Sequence, residues 1–303
     1  MKKCGVLVVG FDSLDPELLT EWAAEGAMPT FASLMQKGAW GLIENQKDLE
    51  AGSVWPTFFR GVSVARHGQF NGLRAFNPQN YTQYKSDKNE FGGEYIWQKL
   101  SREGKRVAVF DAPYTGLSKD LNGIEVADWG NHVPSHGKIM RIRTLPQELA
   151  KDISSKYGED PLHGRMCDFH QPRSAKEIRW FKKSLTDRAQ RKAQMSMDFL
   201  NDGGWDYFLT VFSEAHCAGH HLWNLHDRTR EDFDEKVFAE LGDPLKDVYV
   251  ALDKELGKIL AEVDETQTTV IVYCSHGIGP HVTGTELLDK ILLKLEGKES
   301  KDK

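Results

Sequence analysis

The sequence has no apolar run of membrane-spanning length, no internal repeat, no low-complexity linker and no excess of positive charge. The first absence excludes a transmembrane helix, which needs about 20 consecutive apolar residues. The apolar run after Lys2 and Lys3 is too short for a signal peptide and passes at once into Asp12 and a helix start. A formal net charge of −6 argues against a general binder of duplex nucleic acid, and leaves room for a locally basic pocket. Cysteine is scarce: Cys4, Cys167, Cys217 and Cys274 show no paired spacing. They read as reduced thiols of a cytoplasmic protein rather than a disulfide framework.

What remains is an ordinary soluble composition on 303 residues, enough for a single large domain over 1–303 with a sizeable core. Cys4 to Phe11, Arg106 to Phe110, Trp205 to Phe212 and Thr268 to Tyr273 are short continuous apolar runs, as expected of strands buried on both faces. Trp40 to Glu44 and Ile124 to Val126 read as further strands. Helices are expected from Asp15-Pro16 to Gly26, with Asp15 as N-cap and Pro16 at the first helical position. Others are expected over 29–38, 95–102, 174–200, 243–261 and 285–295. The helix over 174–200 has an apolar stripe, with its lysines and arginines assigned to a solvated face. Residues 128–172 lack a sustained period and read as an irregular insertion or small cap beside a site. This alternation predicts an α/β fold: a mostly parallel central sheet with helices on both faces.

Three strands end on chemistry. The first ends at Asp12, the last at Ser275-His276, and the strand over 205–212 runs into Glu214, His216, His220, His221 and His226. A helical turn would place His216 and His220 on one face, about 6 Å apart, a spacing that suits one divalent ion. In an open α/β sheet the strand ends share one edge, where ligands bind. Asp12, His216, His220 and His276 thus form a candidate mixed carboxylate–imidazole shell, with zinc the first expectation and manganese the second. Each has a plain alternative: Asp12 as a helix cap, His276 as a satisfied core histidine, the histidine cluster as a polar loop. Arg60 and Arg66 are either charges for a phosphoryl group or surface arginines. Trp55, Phe58, Phe59 and Trp223 either stack on a substrate or pack a core beside it.

These motifs, in order, resemble a known family. Gly10-Phe11-Asp12 with Met28 to Gly41, then Ser53 to Gly61 and Ala65-Arg66-His67-Gly68, are similar to the opening of the alkaline phosphatase superfamily. The branch resembled is the type I phosphodiesterase/nucleotide pyrophosphatase group. Glu214 to His220 resembles its acidic-residue-to-histidine metal motif, and Cys274 to Gly279 its Ser-Asp-His-Gly motif. The resemblance runs from Val6 to Gly279. It implies an alkaline-phosphatase-like fold and one or two metal ions per chain at the carboxyl edge of the sheet. It also implies a Thr or Ser nucleophile acting on a small anionic ester of the phosphodiester, phosphonate or sulfate class. It matches Asp12 to the first aspartate ligand, His220 to the histidine four residues after an aspartate ligand, and His276 to the histidine of the last motif. His281 is left for a downstream histidine.

The departures are specific. The nucleophile position is occupied by Ala51, and Ser53, two residues later, is the substitute candidate. Arg60 stands where a threonine is usual, His216 where an aspartate ligand is usual, and Ser275 where a second-site aspartate is usual. The expectation is a metal-dependent hydrolase of phosphate-type esters with its nucleophile position vacant, Arg60 and Trp55 being candidates for substrate contact. The alternatives are a degenerate member that binds anions or partners, and a different metal-assisted reaction on the same fold. Oligomeric state is left open.

Overall fold

The computed structural model describes residues 4–45, 49, 51–70, 74–77, 79–85, 91–131, 141–162, 174–280 and 285–298. In chain order it runs β1 (Cys4–Phe11), α1 (Pro16–Ala24), α2 (Pro29–Lys37), a 3-10 turn (Ala51–Ser53), α3 (Val54–Arg60) and α4 (Val64–His67). A small hairpin follows, β2 (Arg74–Phe76) with β3 (Gln83–Lys85), and then α5 (Ile96–Arg102). Next come β4 (Val107–Phe110), β5 (Gly123–Ala127), β6 (Arg143–Leu145), α6 (Leu149–Tyr157) and α7 (Ala175–Asp202). The chain continues through β7 (Trp205–Phe212), α8 (Glu214–His226), α9 (Glu235–Leu241), α10 (Pro244–Leu260), β8 (Thr269–Cys274) and α11 (Thr285–Leu295).

Six strands form one sheet in the order β6-β5-β4-β7-β1-β8, parallel except for the antiparallel pair β5/β6. β1 and β7 are central, which is why they read as near-continuous apolar runs. α1, α2, α7, α8 and α10 cover one face around Phe11, Phe208, Leu222 and Leu252. α3 and α5 cover the other around Trp55, Phe59, Trp97 and Leu209. The expected α/β architecture is therefore the observed one. No helix among the described residues is long and apolar enough to cross a membrane.

Register places the site. Phe11 pairs with both Phe212 and Cys274, so β1, β7 and β8 end level. The residues that follow, Asp12, Ser213-Glu214 and Ser275-His276, therefore emerge side by side. Two glycines permit the close packing beneath them. A Cβ on Gly10 would lie 2.7 Å from the Trp55 ring, and one on Gly219 would lie 2.6 Å from Ile278. The first lets α3 press its indole against β1; the second lets the segment after β8 lie across α8.

Two expectations are corrected. Trp40 to Glu44 joins no strand among the described residues, and Trp40, Leu42 and Ile43 stand exposed. Residues that suit a strand form one only where a partner strand lies beside them. The described parts of 128–172 are not wholly irregular: they contain β6 and α6, with Ile153 of α6 buried in the main core. The remainder of that stretch, 132–140 and 163–172, lies outside the described residues.

Candidate metal centre

Asp12 is almost wholly buried. Its Oδ1 accepts the Trp55 indole N–H at 2.6 Å and the Ser275 hydroxyl at 2.9 Å. Its Oδ2 lies 3.6 Å from His216 Nδ1, and its Oδ1 lies 3.7 Å from His276 Nε2. Asp12, His216 and His276 each offer one ligand atom, all within 4.8 Å of one another. Asp12 is not the helix cap: Asp15 accepts the Glu17 and Leu18 N–H groups and caps α1, leaving the Asp12 carboxylate for the edge.

The imidazoles are oriented. His276 Nδ1 lies 2.8 Å from the Gly277 carbonyl, which can only accept, so Nδ1 carries the proton and Nε2 keeps its lone pair towards Asp12. His216 Nε2 lies 3.0 Å from His220 Nε2, one turn along α8. His220 thus stands behind His216 rather than against Asp12. A carboxylate and two imidazoles, one with its lone pair directed inward, are the donor set that catalytic zinc takes from a protein. The residues present therefore fit a single divalent ion. Ser275 brings a hydroxyl bound to Asp12 and no carboxylate, and His281 lies outside the described residues.

Ser13 was not foreseen. It is fully buried with φ +56°, and its N–H donates to Ser275 Oγ at 3.2 Å. Its own Oγ lies 2.8 Å from His216 Nδ1 and 3.3 Å from each ring nitrogen of His276. One hydroxyl therefore sits between two candidate ligands. The sequence signal was its place directly after Asp12.

The segment expected to supply nucleophile and substrate contacts does other work. Ala51 opens the 3-10 turn and is exposed. Ser53 is buried and makes no capping hydrogen bond to α3. Trp55 is not a stacking platform: it is fully buried under β1 and donates to Asp12. Arg60 is not directed at the cluster either. It is buried, donates to Gln69 Oε1, the Tyr95 hydroxyl and the Gly93 carbonyl, and lies over the Tyr95 ring. Arg60 ties α3 to the segment before α5. Arg66 is exposed, and Phe59 is core.

Thr57 and His67 form a pair 3.0 Å apart that looks like a nucleophile with its base, but the hydrogen bonds run the other way. His67 Nδ1 accepts the Gln69 N–H at 3.0 Å, which puts the proton on Nε2, facing Thr57. The Thr57 hydroxyl in turn donates to the Ser53 carbonyl at 2.8 Å. Burial, and then the charge of Arg60, push the His67 pKa from 6.5 down to about 4. The unfolded chain therefore takes up this proton before the folded one, and stability falls as pH drops from 6.5 towards 4. In thermal melts across that window, His67→Gln is expected to flatten the decline. A pH slope identical to that of the parent protein would remove His67 as its source.

Beneath the same edge lies a buried charge brace. Arg188 and Lys192 of α7, assigned from sequence to a solvated face, are fully buried. Arg188 Nε donates to Glu214 Oε1 at 2.8 Å, and its Nη1 is 3.9 Å from Asp160. Lys192 Nζ is 2.8 Å from Asp111 and donates to the carbonyls of Val211 and Gly130. Asp111 itself accepts the N–H groups of Trp129 and Gly130. The brace joins the ends of β4, β5 and β7 to the first residue of α8, two residues before His216. The signal was present: Phe181, Leu185, Arg188 and Lys192 share one helical phase.

Comparison with known proteins adds a lineage. A profile of the type I phosphodiesterase / nucleotide pyrophosphatase family matches residues 6–296. Among solved structures, phosphonoacetate hydrolase from Sinorhizobium meliloti 1021 in complex with phosphonoformate aligns with TM-score 0.52 and 14% identity, covering 96% of this chain and 62% of that one. An inactive form of murine ectonucleotide pyrophosphatase/phosphodiesterase 5 in complex with AMP aligns with TM-score 0.49 and 14% identity, covering 91% and 57%. The first likeness is one of fold, and the chain spans about three fifths of the length of the solved structures it matches. A search of curated proteins returns no match.

Proposed function

Because the chain belongs to the type I phosphodiesterase / nucleotide pyrophosphatase family, we propose that it is a metal-dependent hydrolase of small phosphate-type esters. The observation that carries this reading is the convergence of Asp12, His216 and His276 on one point at the level ends of β1, β7 and β8. These three residues would hold a divalent cation, zinc before manganese, with His220 behind His216. Such an ion supplies Lewis acidity towards a phosphoryl oxygen.

The chain's own residues do the rest. Trp55 and Ser275 hold Asp12 Oδ1, so its carboxylate plane is set before anything binds. Ser13 aligns the two imidazoles. Ala51 carries no hydroxyl, and the hydroxyl of Thr57 is committed to a carbonyl, so neither is available to form a covalent ester. Water is the attacking group in this reading, and its proton leaves to solvent or to the departing alcohol.

A second reading has its own support. Ala51 and Ser275 together remove a nucleophile and a carboxylate from the family pattern, which favours an anion-binding protein without turnover. Elemental analysis of the purified protein separates the cases. The hydrolase reading expects about one zinc or manganese per chain and chelator-sensitive hydrolysis of bis(p-nitrophenyl) phosphate. Metal without turnover, with activity appearing in Ala51→Thr, would favour the second. No uptake of either ion would remove the hydrolase reading and bring the second to the front.

A further inference from the structure

Beside His276 the sheet edge opens into a cavity of about 340 Å³, in the range that small-molecule sites occupy. Its floor is Val270 and Val272 of β8, and one wall is Leu34 and Met35 of α2. The other wall is segment 38–45, with Trp40, Leu42 and Ile43 among the lining residues. Ser275 and His276 are among its lining residues, so the cavity shares His276 with the candidate metal centre.

Two properties set what it can hold. Among the described residues that line it there is no lysine, arginine, aspartate or glutamate. Its polar side chains, Thr20, Asn45, Ser275 and His276 among them, are outnumbered by apolar ones, so an apolar group gains more there than a charged one. At the same time Trp40, Leu42 and Ile43 expose 58%, 77% and 68% of their surface. Three large apolar side chains within four residues, on a segment with no strand partner among the described residues, are costly to leave in water and rewarding to cover.

We propose that this cavity receives the organic group of the substrate, and that the esters recognised are those of an apolar alcohol, alkyl or aryl. The phosphate-type head lies at Asp12, His216 and His276, and the apolar group runs outward between α2 and segment 38–45. This inference rests on the phosphate-ester reading above. It adds that specificity comes from area buried against Leu34, Met35, Trp40 and Ile43 rather than from hydrogen bonds to the alcohol.

The test is calorimetric binding of methyl-, butyl- and octylphosphonate, and of 1-octanol, to the full chain supplied with zinc. Affinity is expected to rise about fourfold per methylene, from the transfer value of about 0.8 kcal/mol per buried CH2, until the cavity is filled. Trp40→Ser combined with Ile43→Ser is expected to weaken octylphosphonate and leave methylphosphonate unchanged. Both residues are exposed, so folding is not at stake. Equal affinity for methyl- and octylphosphonate overturns the inference and leaves the phosphate-ester reading standing. Octanol binding as tightly as octylphosphonate overturns the phosphate-ester reading, and the substrate assignment with it.

Discussion

Glu214→Ala is expected to cost about 3–5 kcal/mol of stability, the penalty for leaving a buried charge without its partner. Both side chains of the Arg188–Glu214 pair are 0% exposed. Burial alone would strip the charge from Arg188; the attraction of Glu214, then of Cys217 and Asp160, outweighs it and raises its pKa above the ordinary value. With Glu214 gone, the guanidinium keeps, among the described residues, Asp160 at 3.9 Å and the Cys217 sulfur at 3.6 Å. Neither replaces a 2.8 Å charge-assisted hydrogen bond. The double variant Glu214→Leu with Arg188→Met should recover most of the loss, because a well-packed apolar pair replaces a buried ion pair at little net cost. Urea denaturation reads both. A single-variant loss below about 1 kcal/mol, the scale of an exposed pair, would mean that solvent reaches the brace. The variant also probes the site, since Glu214 starts the helix that carries His216 and His220.

Asp12→Asn is expected to reduce zinc affinity by more than the roughly 10–100-fold that loss of an outer hydrogen-bond partner costs. Asparagine keeps the shape of the side chain, and its carbonyl can still accept from Trp55 and Ser275, so the fold is preserved. What disappears is the negative charge that a divalent ion needs between two neutral imidazoles. Trp55→Phe makes the graded comparison. It removes one hydrogen bond to Asp12 and no ligand atom, and its effect should fall within that 10–100-fold band. Competition with a chromogenic chelator measures both. Wild-type zinc affinity in Asp12→Asn would show that the three-residue cluster is a hydrogen-bonded end of the sheet and nothing more.

The parts of the site legible in the sequence share one property: each follows directly on a buried strand. β1, β7 and β8 are unmistakable apolar runs, and in a parallel sheet their carboxyl ends meet, so Asp12, His216 and His276 could be paired without knowing any distance. Side-chain direction was not legible. Trp55 and Arg60 lie in the right segment, yet α3 turns one under the sheet and the other towards Tyr95, and nothing local decides that. Arg188 and Lys192 were read by residue type when their helical phase placed them among core residues. Asp111, Asp160 and Glu214, distant in the chain, make that position tolerable together with the Gly130 and Val211 carbonyls. Trp40 to Glu44 has residues that suit a strand, and what it lacks among the described residues is a neighbour, which a local pattern does not reveal.

Ser13 sets two selective pressures against each other. Its φ of +56° is a conformation that glycine adopts without cost and serine does not. A chain selected for durability alone would drift to glycine at this position. A chain selected for a hydroxyl between two imidazoles must keep serine and carry the strain. The residue tolerated at position 13 is therefore a record of which demand has governed the lineage.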